Sequence, residues 1–269
     1  PLMLDLSMIF SLLILGAVVG IMAGLLGVGG GAIMVPAFTA LFMSAGISNE
    51  QVVHLALGTS MASIIATSTA SLRSHHAKKG VNWDIVRSMA PGVLTGTFLG
   101  AQAVAWVDTL LLAGFFSAFM LFVAVQMFRN SPLVVDKVLP GKATLLATGA
   151  GIGAVSALVS IGGGSLTVPY LIRHGIEIKK AIGTSAAVGL PIALSGTLGY
   201  IIGGWAHTDL DNLTLGFIYL PAVLFVSMVS FFTAPLGVRI AYSLPVSSLK
   251  KVFGVLVFCV SVKMFLSVL

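Results

Sequence analysis

Charged side chains are scarce in this sequence, and their scarcity excludes an ordinary soluble fold. Only 8% of the 269 residues are charged, whereas 58% are hydrophobic and the mean hydropathy is +1.10. A soluble domain carries about a quarter charged residues. Long apolar runs such as Met8–Leu26 and Leu110–Phe128 also lack the period-2 alternation of a membrane β-barrel strand. Because lipid offers no partners for backbone polar groups, we predict membrane-spanning α-helices.

Acidic residues, cysteine and catalytic motifs are sparse as well. None of the eight aspartates and glutamates falls in the middle of a predicted span, so a carboxylate proton relay is not visible. Cys259 is the single cysteine and cannot form an intrachain disulfide, and no P-loop, zinc motif or hydrolase triad is present. We therefore predict no enzymatic activity, no cofactor and no metal site. His75 and His76 lie in a basic loop, where we expect them to be solvated or membrane-facing.

The formal net charge is nevertheless +6, and its distribution indicates a membrane rather than a nucleic acid as partner. Lysines and arginines occur in short clusters between apolar runs, as the positive-inside rule describes. No basic domain remains that could hold a duplex, which argues against nucleic-acid binding. We expect the lipid bilayer to be the main partner and the location to be the cell inner (plasma) membrane, with multiple passes.

The sequence contains two copies of one unit. The run Gly29–Pro36 (GGGAIMVP) returns as Gly162–Pro169 (GGGSLTVP), with five of eight positions identical. The triplet Gly-Thr-Ser at 58–60 returns at 183–185, in the same order along the chain. This duplication predicts a first membrane repeat at 1–130, a cytoplasmic linker at 131–142 and a second membrane repeat at 143–269, which together form one transport domain.

Each copy consists of a glycine-interrupted apolar stretch followed by three ordinary spans. The predicted helices are 8–26, 32–45, 50–72, 84–105 and 109–128 in the first copy, and 143–160, 165–173, 178–203, 215–237 and 248–268 in the second. If each interrupted stretch crossed the membrane once, the cations would divide almost evenly between its sides. If each turns back at its glycines as a hairpin, thirteen lysines and arginines fall on one face, which agrees with the positive-inside rule.

We therefore predict an all-α integral membrane fold. It consists of two inverted repeats, each a glycine-tipped broken-helix hairpin plus three transmembrane helices. Inverted repeats with broken helices are the architecture of many secondary transporters, which bind their substrate near the membrane midplane where the repeats meet.

The glycine tips are the candidate binding site. Irregular backbone at membrane depth is tolerated only where it is buried in protein or lines a wet cavity. The helix that starts after each tip has N–H groups without intrahelical partners, which attract anions when no side chain blocks the approach. The alternative is that these glycines only allow close helix packing. The predicted substrate-binding residues at the tips are Gly29, Gly30, Gly31, Ala32, Gly162, Gly163, Gly164 and Ser165.

Hydroxyl side chains of the duplicated triplet complete the predicted substrate-binding set. Thr59, Ser60, Thr184 and Ser185 lie about two helical turns into their spans, near the depth of the tips. In one interpretation their hydroxyls line the cavity and donate to an oxyanion. In the other, each hydroxyl bonds to a preceding carbonyl of its own helix. The sequence leaves both interpretations open.

These motifs, in this order, resemble the sulfite exporter TauE/SafE family of membrane permeases over nearly the whole chain. The resemblance rests on the glycine runs with their prolines, both triplets and the basic-loop motif at 76–84, together with the glycines of 91–100 and 183–203. One departure is Ser160-Ile161, which stands where the first copy has Gly27-Val28. The resemblance implies transport of a sulfur-containing anion such as sulfite, sulfoacetate, sulfolactate or an aryl sulfonate.

The sequence thus predicts a secondary membrane transporter that exports sulfite or an organosulfonate by alternating access. An inside-negative potential drives an anion outward by about 2.3 kcal/mol per charge per 100 mV, so export requires no elaborate coupling. The alternative is an anion channel that uses the same half-helix binding site. Small-residue helix faces also permit a homodimer.

Overall fold

A computed structural model of the chain shows an all-α architecture. It describes residues 5–128, 139–210 and 212–243, together with Val255, Phe258, Cys259 and Val262. The helices of these described residues are α1 (Leu6–Leu26), α2 (Gly31–Ser44), α3 (Val52–Ala77), α4 (Trp83–Val104), α5 (Thr109–Phe128), α6 (Lys142–Val159), α7 (Gly164–Arg173), α8 (Ile178–Gly203) and α9 (Leu220–Ser243). A 3-10 turn at Trp205–His207 and two short antiparallel strands, β1 (Thr214–Leu215) and β2 (Ile218–Tyr219), precede α9.

Six of these helices are long and apolar enough to cross a membrane, namely α1, α3, α5, α6, α8 and α9. The helix bounds follow the predicted spans closely except at α3 and α9. We predicted α3 to end at 72, but it ends at Ala77, and we predicted α9 at 215–237, but it spans Leu220–Ser243. Thr214 pairs with Tyr219 in a β-hairpin whose turn holds Gly216 at φ +57°, so the chain is extended before the helix starts. The predicted span 248–268 lies almost entirely outside the described residues.

Both glycine runs interrupt their helices, as predicted. α1 ends because Gly27 adopts the left-handed conformation at φ +68°, and α2 begins only after Gly30, at φ +84°. The second interruption has the same form, since Ser160 at φ +47° ends α6 and Gly163 at φ +76° precedes α7. Ser160 therefore makes the same left-handed turn as Gly27, in a region that residues with a Cβ atom seldom adopt.

Each interrupted helix packs along the fourth helix of the other half. The α1–α9 contacts are Gly16 with Val226, Gly20 with Ser230 and Gly24 with Ala234, and the α4–α6 contacts are Gly92 with Leu146, Gly96 with Ala150 and Gly100 with Ala154. Glycine lets the two backbones of each pair approach closely, as small residues do in membrane helix pairs. Because the contacts advance in the same direction along both helices, the two helices of each pair run parallel.

The helix connections gather at two ends of the molecule. At one end, the connections 45–51 and 204–219 line one cavity. The Nε2 atom of His54 lies 3.1 Å from the carbonyl oxygen of Val104 and 3.0 Å from that of Val107, which places the α4–α5 connection at the same end. We call this the acidic end, because Glu50, Asp108 and Asp209 lie there, whereas Asp211 is outside the described residues.

The opposite end brings together the starts of α4 and α8 with the end of α9. The backbone N–H of Asn82 donates to Thr184 Oγ1 at 2.9 Å, and Lys179 Nζ lies 5.4 Å from the ring centroid of Tyr242. We call it the basic end, because it holds every lysine and arginine of the described residues: Arg73, Lys78, Lys79, Arg87, Lys142, Arg173, Lys179, Lys180 and Arg239.

This arrangement fits hairpins rather than single crossings. α1 starts at the acidic end because it runs parallel to α9, and the α2–α3 connection lies at the same end. α6 starts at the basic end because it runs parallel to α4, and α7 leads there into the start of α8. Each broken helix pair therefore enters and leaves by one end. That the two halves are inverted copies of one unit remains our proposal, which this exchange of packing partners supports.

Candidate functional site

The two helix breaks meet inside the protein and run antiparallel to each other. The backbone N–H of Gly162 donates to the carbonyl oxygen of Val28 at 3.2 Å. A Cβ atom on Gly29 would lie 3.1 Å from the Cα of Gly162, and one on Gly162 would lie 3.2 Å from the Cα of Gly29. The structure therefore brings the two predicted tips together, backbone against backbone.

Two of the predicted binding glycines are required by this contact. A Cβ atom on Gly31 would overlap the carbonyl oxygen of Ser160, and one on Gly164 would overlap that of Gly27. Gly31 and Gly164 have no positive φ. A side chain at either position is therefore excluded by the approach of the other tip and not by the residue's own backbone conformation. For these two residues the structure shows the close packing that the sequence left open as the alternative. Their role in ligand approach stays a prediction.

The starts of α2 and α7 have unpaired backbone donors. No side chain caps either helix, because Gly30 and Gly163 occupy the N-cap positions. Such uncapped starts concentrate about half a positive charge on their first N–H groups. Within the described part of the chain, the backbone N–H groups without a hydrogen bond at these starts are those of Gly31, Ala32, Gly164 and Ser165.

Two serine hydroxyls of the predicted binding set are buried and unpartnered in the described structure, as are the hydroxyls of Ser156 and Thr167 in the turns that adjoin the second tip. Ser165 Oγ belongs to the first turn of α7, and Ser60 Oγ lies on α3. Ser160 of the second tip donates to the carbonyl oxygen of Leu57 at 2.8 Å, which places Ser60 one turn from that contact. A buried hydroxyl without a partner costs about 1–3 kcal/mol, so each of these serines offers an unused hydrogen-bond donor. Ala32, which corresponds to Ser165 in the first half, has no hydroxyl.

Hydroxyl groups of α3 and α8 hold the first tip. Ser185 Oγ donates to the carbonyl oxygen of Gly27 at 3.2 Å, and Thr67 Oγ1 donates to that of Gly29 at 3.0 Å. Ser185 belongs to the predicted set, whereas the sequence interpretation missed Thr67. The duplication could not have found Thr67, because Ile192 stands at the corresponding position of the second half. A second signal was available in the row of serines and threonines, three or four residues apart, that extends along one face of α3.

The threonines of the triplets hold the connections at the two ends of the molecule. Thr59 Oγ1 accepts a hydrogen bond from the backbone N–H of Tyr219 at 3.0 Å, and Thr184 Oγ1 accepts one from that of Asn82 at 2.9 Å. Gly58 and Gly183 precede these threonines and let the same connections approach closely. A Cβ atom on either glycine would overlap a carbonyl oxygen of the connection, that of Phe217 or Gly80 respectively. Both threonine oxygens are thus engaged with backbone donors, and their predicted contact with an anion remains untested.

Aromatic side chains lie between the acidic end and the first Gly-Thr-Ser triplet. A cavity of about 590 Å³ opens at that end, and its described lining includes Phe217 but none of the tip residues. Phe217 is 4% exposed and packs against Gly58, two residues before Ser60. Next to it, the ring of Tyr219 meets that of Phe42 edge-on at 5.6 Å, and burial raises the pKa of the Tyr219 phenol. Phe217 therefore lies between this cavity and the Gly-Thr-Ser triplet of α3.

The tip and triplet residues carry no charged side chains. All the predicted tip and triplet residues are buried, and none of them is ionisable. Within the ranges that the structure describes, no three histidine, cysteine, aspartate or glutamate side chains lie close enough together to hold a metal ion. Among these residues, the groups able to attract an anion are therefore the helix starts and the hydroxyl groups.

The structure corrects our expectation for His75. We expected a solvated or membrane-facing residue in a basic loop, but α3 extends to Ala77, five residues beyond its predicted end, and His75 in its last turn is 1% exposed. Its Nε2 atom lies 3.1 Å from the carbonyl oxygen of Gly24. His76, by contrast, is exposed, and its Nδ1 accepts a hydrogen bond from Trp83 Nε1 at 3.2 Å.

Comparison with known proteins identifies relatives over almost the whole chain. A "Probable membrane transporter protein" of Haemophilus influenzae is 36% identical over 257 residues, covering 94% of this chain and 97% of the relative. A protein of the same description from Methanocaldococcus jannaschii is 28% identical and covers 85% of each chain. No solved structure matches the chain.

The model of one protein family, described as sulfite exporter TauE/SafE, matches residues 12–264. This range contains both glycine runs, both triplets and all the described helices except the first turns of α1. Together with the multi-pass helical fold and the membrane transporter relatives, the match covers the features from which the site is built. The chain therefore belongs to the sulfite exporter TauE/SafE family of membrane transporters.

Proposed function

We propose that this protein exports a small sulfur-containing anion, sulfite or an organosulfonate, across the inner membrane by alternating access. Membrane transport itself follows from the family and from the descriptions of the relatives. The substrate class is supported by the family description and by the chemistry of the tips.

The observation that carries the proposal is the pair of unpartnered hydroxyls, Ser60 Oγ and Ser165 Oγ, beside the uncapped starts of α2 and α7. A tetrahedral or pyramidal oxyanion has several acceptor oxygens and accepts from hydroxyl and backbone donors at once. A cation would meet only donors at these helix starts. An uncharged apolar solute would leave the same donors unsatisfied.

The absence of an ionisable side chain among the tip residues supports transport rather than permanent binding. A lysine or arginine paired with the anion would hold it strongly in a low-dielectric surrounding. Helix dipoles provide a weaker attraction, and they are shared between two tips that belong to different halves of the chain. The membrane potential then favours outward movement of the anion, by about 2.3 kcal/mol per charge per 100 mV.

An anion channel built on the same helix starts is the alternative. The backbone contact between Gly162 and Val28, and the burial of Phe217 and Tyr219 toward the acidic end, support a carrier. A carrier exposes its site to one side of the membrane at a time, so contact between the tips is expected in one of its states. The carrier is therefore the function we favour.

Transport by the purified protein in liposomes tests the proposal. Radiolabelled sulfite inside the liposomes should leave at a rate that saturates with concentration, and unlabelled sulfite outside should accelerate its exit. Thiosulfate, sulfoacetate and sulfate in parallel assays define the substrate. A rate that stays linear with concentration and shows no exchange indicates the channel. Failure of all these anions to move faster than in empty liposomes contradicts the proposal.

A further inference from the structure

His75 and Tyr200 make corresponding hydrogen bonds in the two halves. Each lies fifteen residues after the serine of its Gly-Thr-Ser triplet. His75 Nε2 lies 3.1 Å from the carbonyl oxygen of Gly24, and Tyr200 Oη donates to that of Ala157 at 2.6 Å. Gly24 and Ala157 are each three residues before the left-handed residue that ends the broken helix. Both side chains thus hold the last turn of a broken helix.

Histidine offers something in this position that tyrosine does not. The Gly24 carbonyl can only accept, so Nε2 must carry a hydrogen and Nδ1 is the free ring nitrogen of the neutral form. Nδ1 is buried and has no hydrogen-bond partner in the described structure. Tyr200 has no second polar atom. The first half therefore contains a proton-binding atom where the second half contains only a structural donor.

His75 lies near the basic end, among residues of α1, α8 and α9. α1 contributes only the Gly24 carbonyl, and α9 contributes Tyr242, whose ring centroid lies 5.8 Å from that of His75 and whose hydroxyl is also unpartnered. From the start of α8, Lys179 Nζ lies over the Tyr242 ring, and Glu177 acts on the same tyrosine through its charge. Lys78 and Lys79 of the following connection are exposed to solvent. No carboxylate contacts His75 directly in the part of the chain that the structure describes.

Two series of contacts link His75 with the first tip, one along α3 and one through α8. Along α3, Ser71 lies one turn before His75, its Oγ atom is buried without a partner, and Thr67 one turn further bonds to the Gly29 carbonyl. Across the helices, a Cβ atom on Gly183 would lie 3.2 Å from the Cβ of His75, and Ser185 two residues later bonds to the Gly27 carbonyl. A charge on the imidazole therefore lies beside the backbone that forms the tip.

We propose that His75 couples proton movement to the anion transport proposed above, by binding a proton at Nδ1 when the anion occupies the tips. The proton comes from water at the basic end, the Nε2–H bond to Gly24 is kept, and the imidazolium balances part of the anion's charge. When the anion leaves at the acidic end, the cation loses its partner and Nδ1 returns the proton to water at the basic end. Because the inference rests on the proposed function, anion binding and proton uptake must be measured separately.

The test uses His75→Gln and His75→Tyr with Tyr200→Phe as matched control. Both replacement side chains, an amide and a phenol, offer a donor for the Gly24 carbonyl but do not titrate near neutral pH, and the phenol copies the other half. Tyr200→Phe removes the corresponding hydrogen bond without touching a titratable imidazole. Each purified protein is mixed, in weak buffer, with sulfoacetate or methanesulfonate, whose own protonation does not change near neutral pH. Anion binding is followed by calorimetry, and proton uptake by a pH dye.

Wild-type protein and Tyr200→Phe should take up a proton with each bound anion, and their affinity should rise about tenfold per pH unit as the pH falls through the range above the histidine pKa, because linkage is reciprocal. The two His75 variants should bind the anion with an affinity that does not depend on pH and without proton uptake. Proton uptake that persists in both His75 variants overturns the inference, and so does its loss in Tyr200→Phe alone.

Absence of anion binding to the wild-type protein would instead contradict the proposed function. In that case the nitrogen NMR signal of His75 in isotopically labelled wild-type protein decides the inference independently. The signal should shift in the direction of a protonated Nδ1 when sulfite or thiosulfate is added at constant pH. A signal that keeps the neutral form with and without anion overturns the assignment.

Discussion

The carbonyl oxygen of Val28 accepts a hydrogen bond from the backbone N–H of Gly162 at 3.2 Å, and this bond joins the two halves of the chain at the candidate site. Gly27 and Gly31 of the first tip lie against Gly164 and Ser160 of the second. A site built in this way has few side chains to change. Its properties depend on how closely two stretches of backbone approach each other.

Gly31→Ala should destabilise the protein severely. The added Cβ atom would overlap the Ser160 carbonyl oxygen, and both groups belong to backbone that cannot move without separating the tips. The matched control is Gly151→Ala on α6, where an added Cβ atom meets nothing within 4 Å and a helix gains about 1 kcal/mol from alanine. Thermal unfolding of both purified variants measures the difference. Equal midpoints would contradict the observed tip contact.

Ser60→Ala and Ser165→Ala should each weaken anion binding by at least about tenfold, because each removes a hydrogen bond to a charged ligand worth about 1.5–3 kcal/mol. Neither variant should unfold, since the lost hydroxyls have no partner in the described structure. Ser63→Ala is the control, because Ser63 Oγ donates to the Thr59 carbonyl of its own helix. Binding affinity and transport KM are the measurements. Unchanged affinity in both tip variants would remove these serines from the site.

Thr184→Val should lower stability rather than affinity. The substitution leaves the half-buried backbone N–H of Asn82 without its acceptor, and Thr59→Val does the same to the buried N–H of Tyr219, where the cost is about 1–3 kcal/mol. Thr→Ser at either position should restore the melting temperature. Thr39→Val serves as control, because Thr39 bonds only to the Val35 carbonyl of its own helix. If Thr184→Val instead weakened anion binding at unchanged stability, the threonine would belong to the ligand site after all.

The two hairpins predict a specific pattern of labelling from outside the cell. In a Cys259→Ala background, a membrane-impermeant maleimide should react with Ser48→Cys at the acidic end and should not react with Glu177→Cys at the basic end. Both positions are exposed connections, so reagent access decides the outcome. Had each broken helix pair crossed the membrane once, the connection holding Glu177 would face outward. Labelling of Glu177→Cys in intact cells is therefore the result that contradicts the hairpins.

The sequence was sufficient for the helices and their interruptions, because apolar length and glycine runs act locally. It located the breaks at Gly27–Gly31 and Ser160–Gly164 within a residue or two. It placed the start of α9 too early, because a short β-hairpin of apolar residues such as Ile218 reads like the beginning of a span. It ended α3 too early for a related reason, since the polar residues after Leu72 resemble a loop while their inner face is buried.

The purpose of particular side chains was harder to predict, because it depends on contacts between distant segments. Thr59 and Thr184 recur in the sequence as members of a candidate site, yet their partners are the backbone groups of Tyr219 and Asn82 on other elements. The duplication that revealed the triplets also concealed His75, whose counterpart is a tyrosine. The difference between His75 and Tyr200 at corresponding positions indicates a separate role for the histidine, which the identical positions of the two halves could not reveal.

The crossed pairing of helices constrains the order in which the chain is completed. Gly16, Gly20 and Gly24 of α1 pack against α9, which begins only at Leu220. During synthesis, the glycine face of α1 therefore lacks its packing partner until α9 has been inserted, nearly two hundred residues after the first hairpin. A truncated chain that stops at the linker would expose such faces permanently. Quality-control proteases of the membrane would then recognise it as an incompletely folded protein.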